Sequence, residues 1–335
     1  MLNPALEIED QTNTVSLAVA LAEYAAGFTI DGRDALDTAR HYLIDALGGG
    51  FAALREPECA ALLAPLVPGA MMPGGARVPG TSLELDPAQA AFCTALMLCR
   101  SASRGHWLTL RSGRAADSLG ALLAVADYQG RKAIMEGKSP PRVRDVLTAM
   151  IKTLEIQGVL SPDQATIRLA RVAVTTVVTA QLGGALGQIV TALSYACIDG
   201  GLPTEAEERH EIGRRDWARA DAMSRAVRHA CQAMAASSSY LTPLDLKAVD
   251  FAGKLLGAKP WAPKKVFGTT IIDDLAEAGG PQETAPVMTK FQAAVERYFP
   301  SRQAERIKTL FTTPERLDEL PVNELLAALV INGAR

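Results

Sequence analysis

Residues 100–116 read RSASRGHWLTLRSGRAA, which places Arg100, Arg104, Arg111 and Arg114 within fifteen positions and sets His106 and Trp107 side by side among them. A second basic group, Arg209, Arg214, Arg215 and Arg219, lies about a hundred residues downstream and has His210 next to its first member. Guanidinium groups bind carboxylate or phosphate through two parallel hydrogen bonds, so such stretches are candidate anion sites; a solvated basic loop is the alternative. His106 is the proton-transfer candidate, since an imidazole titrates near neutral pH, although no carboxylate stands beside it in sequence. Trp107 either walls a pocket or anchors the loop. Asp117 and Ser118 are explained by capping the helix that follows. Glu155, flanked by apolar residues, reads as a buried ion-pair partner or a base. His41 and His229 fall within helical stretches as packing or surface residues.

Other chemistry is poorly supported. The glycines make no GxGxxG or Walker pattern between strand and helix, so nucleotide binding has no basis. The five cysteines, Cys59, Cys93, Cys99, Cys197 and Cys231, form no CxxC and have no histidine at ligand spacing. They read as reduced core residues, and no metal or cofactor is expected. With 34 basic and 37 acidic residues the net charge is −3, which gives no electrostatic case for nucleic acid or an anionic membrane. The N-terminal stretch MLNPALEIEDQTNT lacks the basic and apolar regions of a signal peptide. Together with reduced cysteines, it gives the expectation of a cytoplasmic protein.

The elements that must position these residues are helices. A chain of 335 residues with 48% hydrophobic but only 5% aromatic content builds its core from Ala, Leu and Val, and small side chains favour close helix packing. Helical periodicity predicts an all-α fold. Asn13 or Thr14 caps a first helix and Asp31 a second, while 67–85 is a Pro- and Gly-rich connection. Asp86-Pro87 then opens a helix through Cys99. Further stretches are Ser118–Glu136, Val143–Gln157, Asp163–Leu182, Ala185–Cys197, Trp217–Tyr240, Leu244–Leu256 and Ala285–Tyr298, before ERLDELPVNELLAALV resumes helical character. No strand pattern or internal repeat is evident. The uncharged run Val172–Ile198 is long enough to span a bilayer, but its Thr and Gln content and the Gly183-Gly184 break predict two buried helices joined by a turn.

The segment DSLGALLAVADYQGRKAIMEGKSPPRVRDVLTAMIKTLEIQGVL (117–160) closely resembles the MmgE/PrpD family of dehydratases. So do TARHYLIDALGGGFAALREPECAALLAPLVPG, RVPGTSLELDPAQAAF, RADAMSRAVRHACQAM and the tail AVERYFPSRQAERIKTLF…ERLDELPVNELLAALV. The resemblance implies an N-terminal arm (1–13), the family's large helical domain (14–256), a shortened connection (257–284) and C-terminal helices packing back on that domain (285–335). It also implies that the connection is too short for the family's α/β domain, which covers the cleft. Pairing as a homodimer is a further implication.

Dehydration of a β-hydroxy acid needs a base for the α-proton, an acid for the leaving hydroxyl and cations for the carboxylates. The resemblance puts the family's Asp, Asn-Asp and Thr onto Ala102–His106, and its His-Pro-Ser-Asp onto Arg114-Ala115-Ala116-Asp117. The family's Ala-His-Glu falls on Thr153-Leu154-Glu155, and a family Lys on Arg215. Arg215 keeps the charge but is a poor proton shuttle. These replacements argue against the parent dehydration. The resemblance therefore implies a cleft in which Arg114 and Arg215 approach each other, with Arg104, Asp117 and Trp107 as further substrate contacts and His106 and His210 as catalytic candidates. The reading is a repurposed lyase, isomerase or cyclase acting on a small anionic carboxylate or carbonyl metabolite; the alternative is a non-catalytic pseudoenzyme or assembly partner.

Overall fold

The computed structural model describes residues 18–102, 115–160, 167–199, 212–236 and 284–331. They form helices α1 (18–27), α2 (Arg33–Ala53), α3 (Pro57–Ala60), α4 (Pro87–Ala102), α5 (Ala115–Met135), α6 (Val143–Leu160), α7 (Ile167–Gln181) and α8 (Leu186–Ile198). After these come α9 (Ile212–Ala235), α10 (Thr284–Tyr298), α11 (Ser301–Phe311), α12 (Pro314–Glu319) and α13 (Val322–Ala328). Two strands of two residues each, β1 (Ala76–Arg77) and β2 (Glu84–Leu85), pair antiparallel with Ala76 opposite Leu85. This hairpin was not expected. Strands of two residues inside a Pro- and Gly-rich connection leave no alternation to read.

Helix α5 is the axis of the fold. Leu119, Ala121, Leu122, Leu123, Ala124, Val125 and Ala126 are all buried, so the helix is apolar on every side and has packed neighbours all round. Its closest approach is to α4. A Cβ on Gly120 would lie 2.5 Å from the Ala95 amide nitrogen, a distance that only glycine permits. Helix α7 hides polar groups instead of excluding them. Thr175, Thr176 and Thr179 donate their hydroxyls to the carbonyls of Arg171, Val172 and Thr175 at 2.7–2.9 Å, so each buried hydroxyl is satisfied within the helix. Gly183 takes φ +80° after α7, and the Gly184 amide donates back to the Thr179 carbonyl, which ends α7 and turns the chain into α8. The uncharged run is thus a buried hairpin, and no helix among the described residues is long and apolar enough to cross a membrane.

The C-terminal helices are fastened to this body. Phe51 of α2 packs edge-on against Phe299 (centroids 4.9 Å apart), and Phe291 meets Phe311 at 4.6 Å. Arg40 of α2 donates from Nε and NH2 to both carboxylate oxygens of Asp318 in α12, at 2.9 and 2.8 Å. The Gly80 amide in the hairpin turn donates to the Leu329 carbonyl and the Val143 amide to the Leu320 carbonyl, so backbone hydrogen bonds seal the tail at two further points.

Some expected caps differ. The residue before α2 is Gly32, with no side-chain capping bond, so Asp31 does not cap it. Asp86 does cap α4: its Oδ1 accepts from the Ala88 and Gln89 amides at 3.0 and 3.1 Å, and Pro87 occupies the first turn. Helix α9 starts at Ile212, upstream of the expected Trp217, and α11 was not separately foreseen. The candidate helix 244–256 and the cap at residues 13 and 14 lie outside the described residues.

Candidate functional site

The last turn of α4 and the first turns of α5 and α9 meet at one corner of the bundle, held by a buried charge pair. Asp117, in the first turn of α5, accepts from Arg219 NH1 with both oxygens, at 3.0 and 2.9 Å. The Cys99 thiol of α4 adds a third donor at 3.4 Å. Asp117 and Arg219 are only 6% and 8% exposed. Because α5 begins at Ala115, Asp117 sits inside the helix and not at its cap; its carboxylate ties three helices together.

A cavity of about 490 Å³ opens between residues of α3, α4 and α9. Leu62, Leu96, Trp217 and Ala218 form its walls, and the buried Cys59 also lines it. Trp217 stands edge-on to Phe92, with ring centroids 6.0 Å apart, and remains 48% exposed. Four charged side chains reach the lining: Arg100 and Arg214, with Glu58 and Asp216. Arg100 donates from Nε to Glu56 Oε2 at 3.2 Å, while its two terminal nitrogens have no protein partner among the described residues. The guanidinium is therefore oriented from one side and open on the other. Burial pushes the Cys59 thiol up to about 11, which removes it as a nucleophile near neutral pH.

Of the residues singled out in sequence, Arg215 is half-buried on α9 and outside the cavity lining, where its neighbour Arg214 stands. Arg104, His106, Trp107, Arg114 and His210 lie outside the described residues. Leu154 is 2% exposed and packs in the core, and Glu155 beside it is equally buried. The cysteines are all free; Cys59, Cys93 and Cys99 are core residues, but Cys231 is exposed.

Sequence reasoning passed over a second polar cluster. His229 Nε2 lies 2.9 Å from Asp199 Oδ2, and Asp199 also receives Arg171 NH1 at 3.2 Å and Arg225 NH1 at 3.0 Å. Arg171 is fully buried. Burial holds the His229 imidazole below its ordinary value, against the pull of Asp199. Burial alone would raise Asp199, but the His229 hydrogen bond and the two arginines hold it below the usual carboxylate range. A neutral imidazole donating from Nε2 leaves Nδ1 without a partner among the described residues. The sequence signal was Arg225 and His229 at i, i+4 on a helix already rich in arginine, with Arg171 on a different helix.

The MmgE/PrpD N-terminal domain model matches residues 19–247. The 2-methylcitrate dehydratase of Cupriavidus necator is 38% identical over 265 residues, covering 77% of this chain and 55% of that protein. The corresponding enzyme of Escherichia coli (strain K12) is 36% identical over the same length and with the same coverage. A 2-methylcitrate dehydratase-like protein, oryR, of Aspergillus oryzae is 34% identical over 220 residues, covering 62% of this chain and 44% of its own. The chain spans about half the length of the curated relatives it matches.

Proposed function

The chain belongs to the MmgE/PrpD family, and on that premise we propose that it is a repurposed member, which binds a small organic anion and no longer carries out the dehydration named for its relatives. The observation that carries this reading is the α4–α9 cavity, where Arg100 presents open guanidinium nitrogens. An anion there would receive charge-assisted hydrogen bonds from a donor already held in place by Glu56. Arg214 adds positive charge on the same lining.

The loss of dehydration is argued from residue types. Leu154, at the position where the resemblance puts a histidine, is buried hydrocarbon and cannot exchange a proton. The proposal extends to Arg104, Trp107 and Arg114 as further contacts, to Arg215 and Asp117 as flanking charges, and to His106 and His210 as the proton-transfer groups of whatever reaction remains, of lyase, isomerase or cyclase type. In the domain organisation that goes with it, 14–256 is the helical unit, 257–284 replaces the family's α/β cover and 285–335 closes the helical body. The protein would then work in the cytoplasm as a homodimer.

Calorimetry with a panel of carboxylates tests the reading on the wild type and on Arg100→Gln, Arg114→Ala and Arg215→Ala. Saturable binding weakened at least about tenfold by Arg100→Gln is expected, one charge-assisted hydrogen bond being worth roughly that. Turnover of 2-methylcitrate at ordinary enzyme levels would refute the loss of the parent reaction.

A second reading is favoured by one observation. Leu62, Leu66, Val67, Met71 and Met72 are all exposed within eleven residues, Leu66 by 83%, as in a surface that another chain covers. On that reading the protein is an assembly partner without catalysis. The calorimetry above separates the two readings, since saturable carboxylate binding counts against a purely structural role; sedimentation at micromolar concentration tests the homodimer, which a monomer would contradict.

A further inference from the structure

We propose that the α4–α9 cavity selects a monocarboxylate carrying an apolar or aromatic body, and rejects di- and tricarboxylates. This rests on the preceding reading that the cavity binds an organic anion, and it concerns which anion.

Charge balance within the lining is the first argument. Among the described residues of the lining, Arg100 and Arg214 are matched by Glu58 and Asp216. Arg100 is further neutralised by Glu56 at 3.2 Å. A tricarboxylate held by these residues would bring three negative charges to two cations, one of which already holds Glu56. The uncompensated charges would lose water without gaining partners, and such burial is strongly unfavourable. A single carboxylate asks for one guanidinium edge, which the terminal nitrogens of Arg100 supply.

The walls supply the second argument. Leu62 and Trp217 are 50% and 48% exposed at the cavity, and the buried Leu96 and Ala218 continue the apolar surface inward. Hydrocarbon exposed at the mouth of a pocket is surface that a ligand removes from water, with a gain proportional to the area covered. A volume of about 490 Å³ falls within the range of small-molecule sites, which are mostly apolar with a few placed polar groups. A citrate-like molecule covers such walls with oxygen and forfeits that gain. An arylalkyl acid such as 3-phenylpropionate places its ring against Trp217 and its carboxylate at Arg100.

Isothermal calorimetry with 3-phenylpropionate, 3-phenylpropionamide, citrate and tricarballylate tests this, with tryptophan fluorescence as a second readout. Saturable binding of 3-phenylpropionate is expected, weakened about tenfold or more in the amide and in Arg100→Gln, because each removes one partner of a charge-assisted contact. Leu62→Asp, at an exposed position that the fold does not need, should weaken it by a similar factor, and Trp217→Phe should abolish the fluorescence change. Citrate or tricarballylate binding as tightly as phenylpropionate, with Arg100 dependence, would overturn the selectivity while leaving the anion reading intact. Equal affinity for acid and amide, or no binding of any probe, would overturn both.

Discussion

At the scale of single residues, the Asp117–Arg219 pair decides between two roles for a conspicuous carboxylate. Both oxygens of Asp117 are occupied by one guanidinium, in a place where neither group is more than 8% exposed. Desolvating two charges is repaid only while both are present, so losing one partner costs more than losing both. Arg219→Met should therefore destabilise the protein by about 3–5 kcal/mol, whereas Asp117→Leu combined with Arg219→Met should cost less than half of that. Urea midpoints for the two variants check this; equal losses would mean that the carboxylate is stabilised by something other than Arg219. Arg214 and Arg215 illustrate what a linear reading leaves open. Consecutive residues on a helix point about 100° apart, so which of two adjacent arginines faces a cavity depends on where the helix starts and how it rolls on its neighbours. The start was expected at Trp217 and lies at Ile212. Arg100 was visible only as one member of a basic run; its orientation comes from Glu56, 44 positions away.

At the scale of elements, the contact between α4 and α5 is set by one missing side chain. A methyl group at Gly120 would lie 2.5–2.6 Å from the nitrogen, Cα and Cβ of Ala95, and a backbone cannot step aside as a rotamer can. Gly120→Ala should cost about 3 kcal/mol, near the top of the range for overpacked cores, despite the better helix propensity of alanine. A rise in thermal midpoint would show that the two helices can slide apart. The seam between α2 and α12 rests on a different device, the bidentate pair Arg40–Asp318. Asp318→Ala leaves Arg40 with only Asp37, 2.6 Å away and half-exposed, so a loss of roughly 2–3 kcal/mol is expected, with faster hydrogen exchange in α12 and α13 than in α5. Uniform acceleration across all helices would argue against a local seam. The long helices were legible in sequence because 3.6-residue periodicity needs several turns to declare itself, and α5, α6 and α7 have them. The β1–β2 hairpin was not, because strands of two residues show no alternation, and the Asp199–His229–Arg171 cluster was not, because it joins residues far apart in sequence whose types are ordinary one by one.

For the whole molecule, the buried titrating groups give pH dependences of opposite sign. Burial pushes Asp45 up to about 7, Lys290 offsetting only part of it, and pushes Asp127 up to about 6 against the pull of Arg77. Both carboxyls ionise near 3.8 when unfolded. The folded state therefore takes up protons between pH 8 and 5.5 that the unfolded chain does not, and these groups add stability as pH falls and lose it as pH rises through 6–7. His229 and His41 are held below 6.5 by burial, so over the same window the unfolded chain takes up protons that the folded state refuses, and they subtract stability as pH falls. Two groups of each kind oppose one another, so the stability of the wild type should vary with pH less steeply than the two carboxyls alone would make it. Asp45→Asn removes one side of that balance. The amide never ionises, so the variant should exceed the wild type at pH 8 by at least about 1 kcal/mol, a tenfold change in an ionisation constant corresponding to about 1.4 kcal/mol. That advantage should shrink as pH falls through 7, where the folded carboxyl takes up its proton, and should vanish only below the unfolded value near 3.8. The urea midpoint of the variant, measured against that of the wild type, would consequently fall as pH falls. Parallel profiles for the two proteins would mean that Asp45 titrates as an ordinary surface carboxylate, and that the α2–α10 seam admits water at its centre.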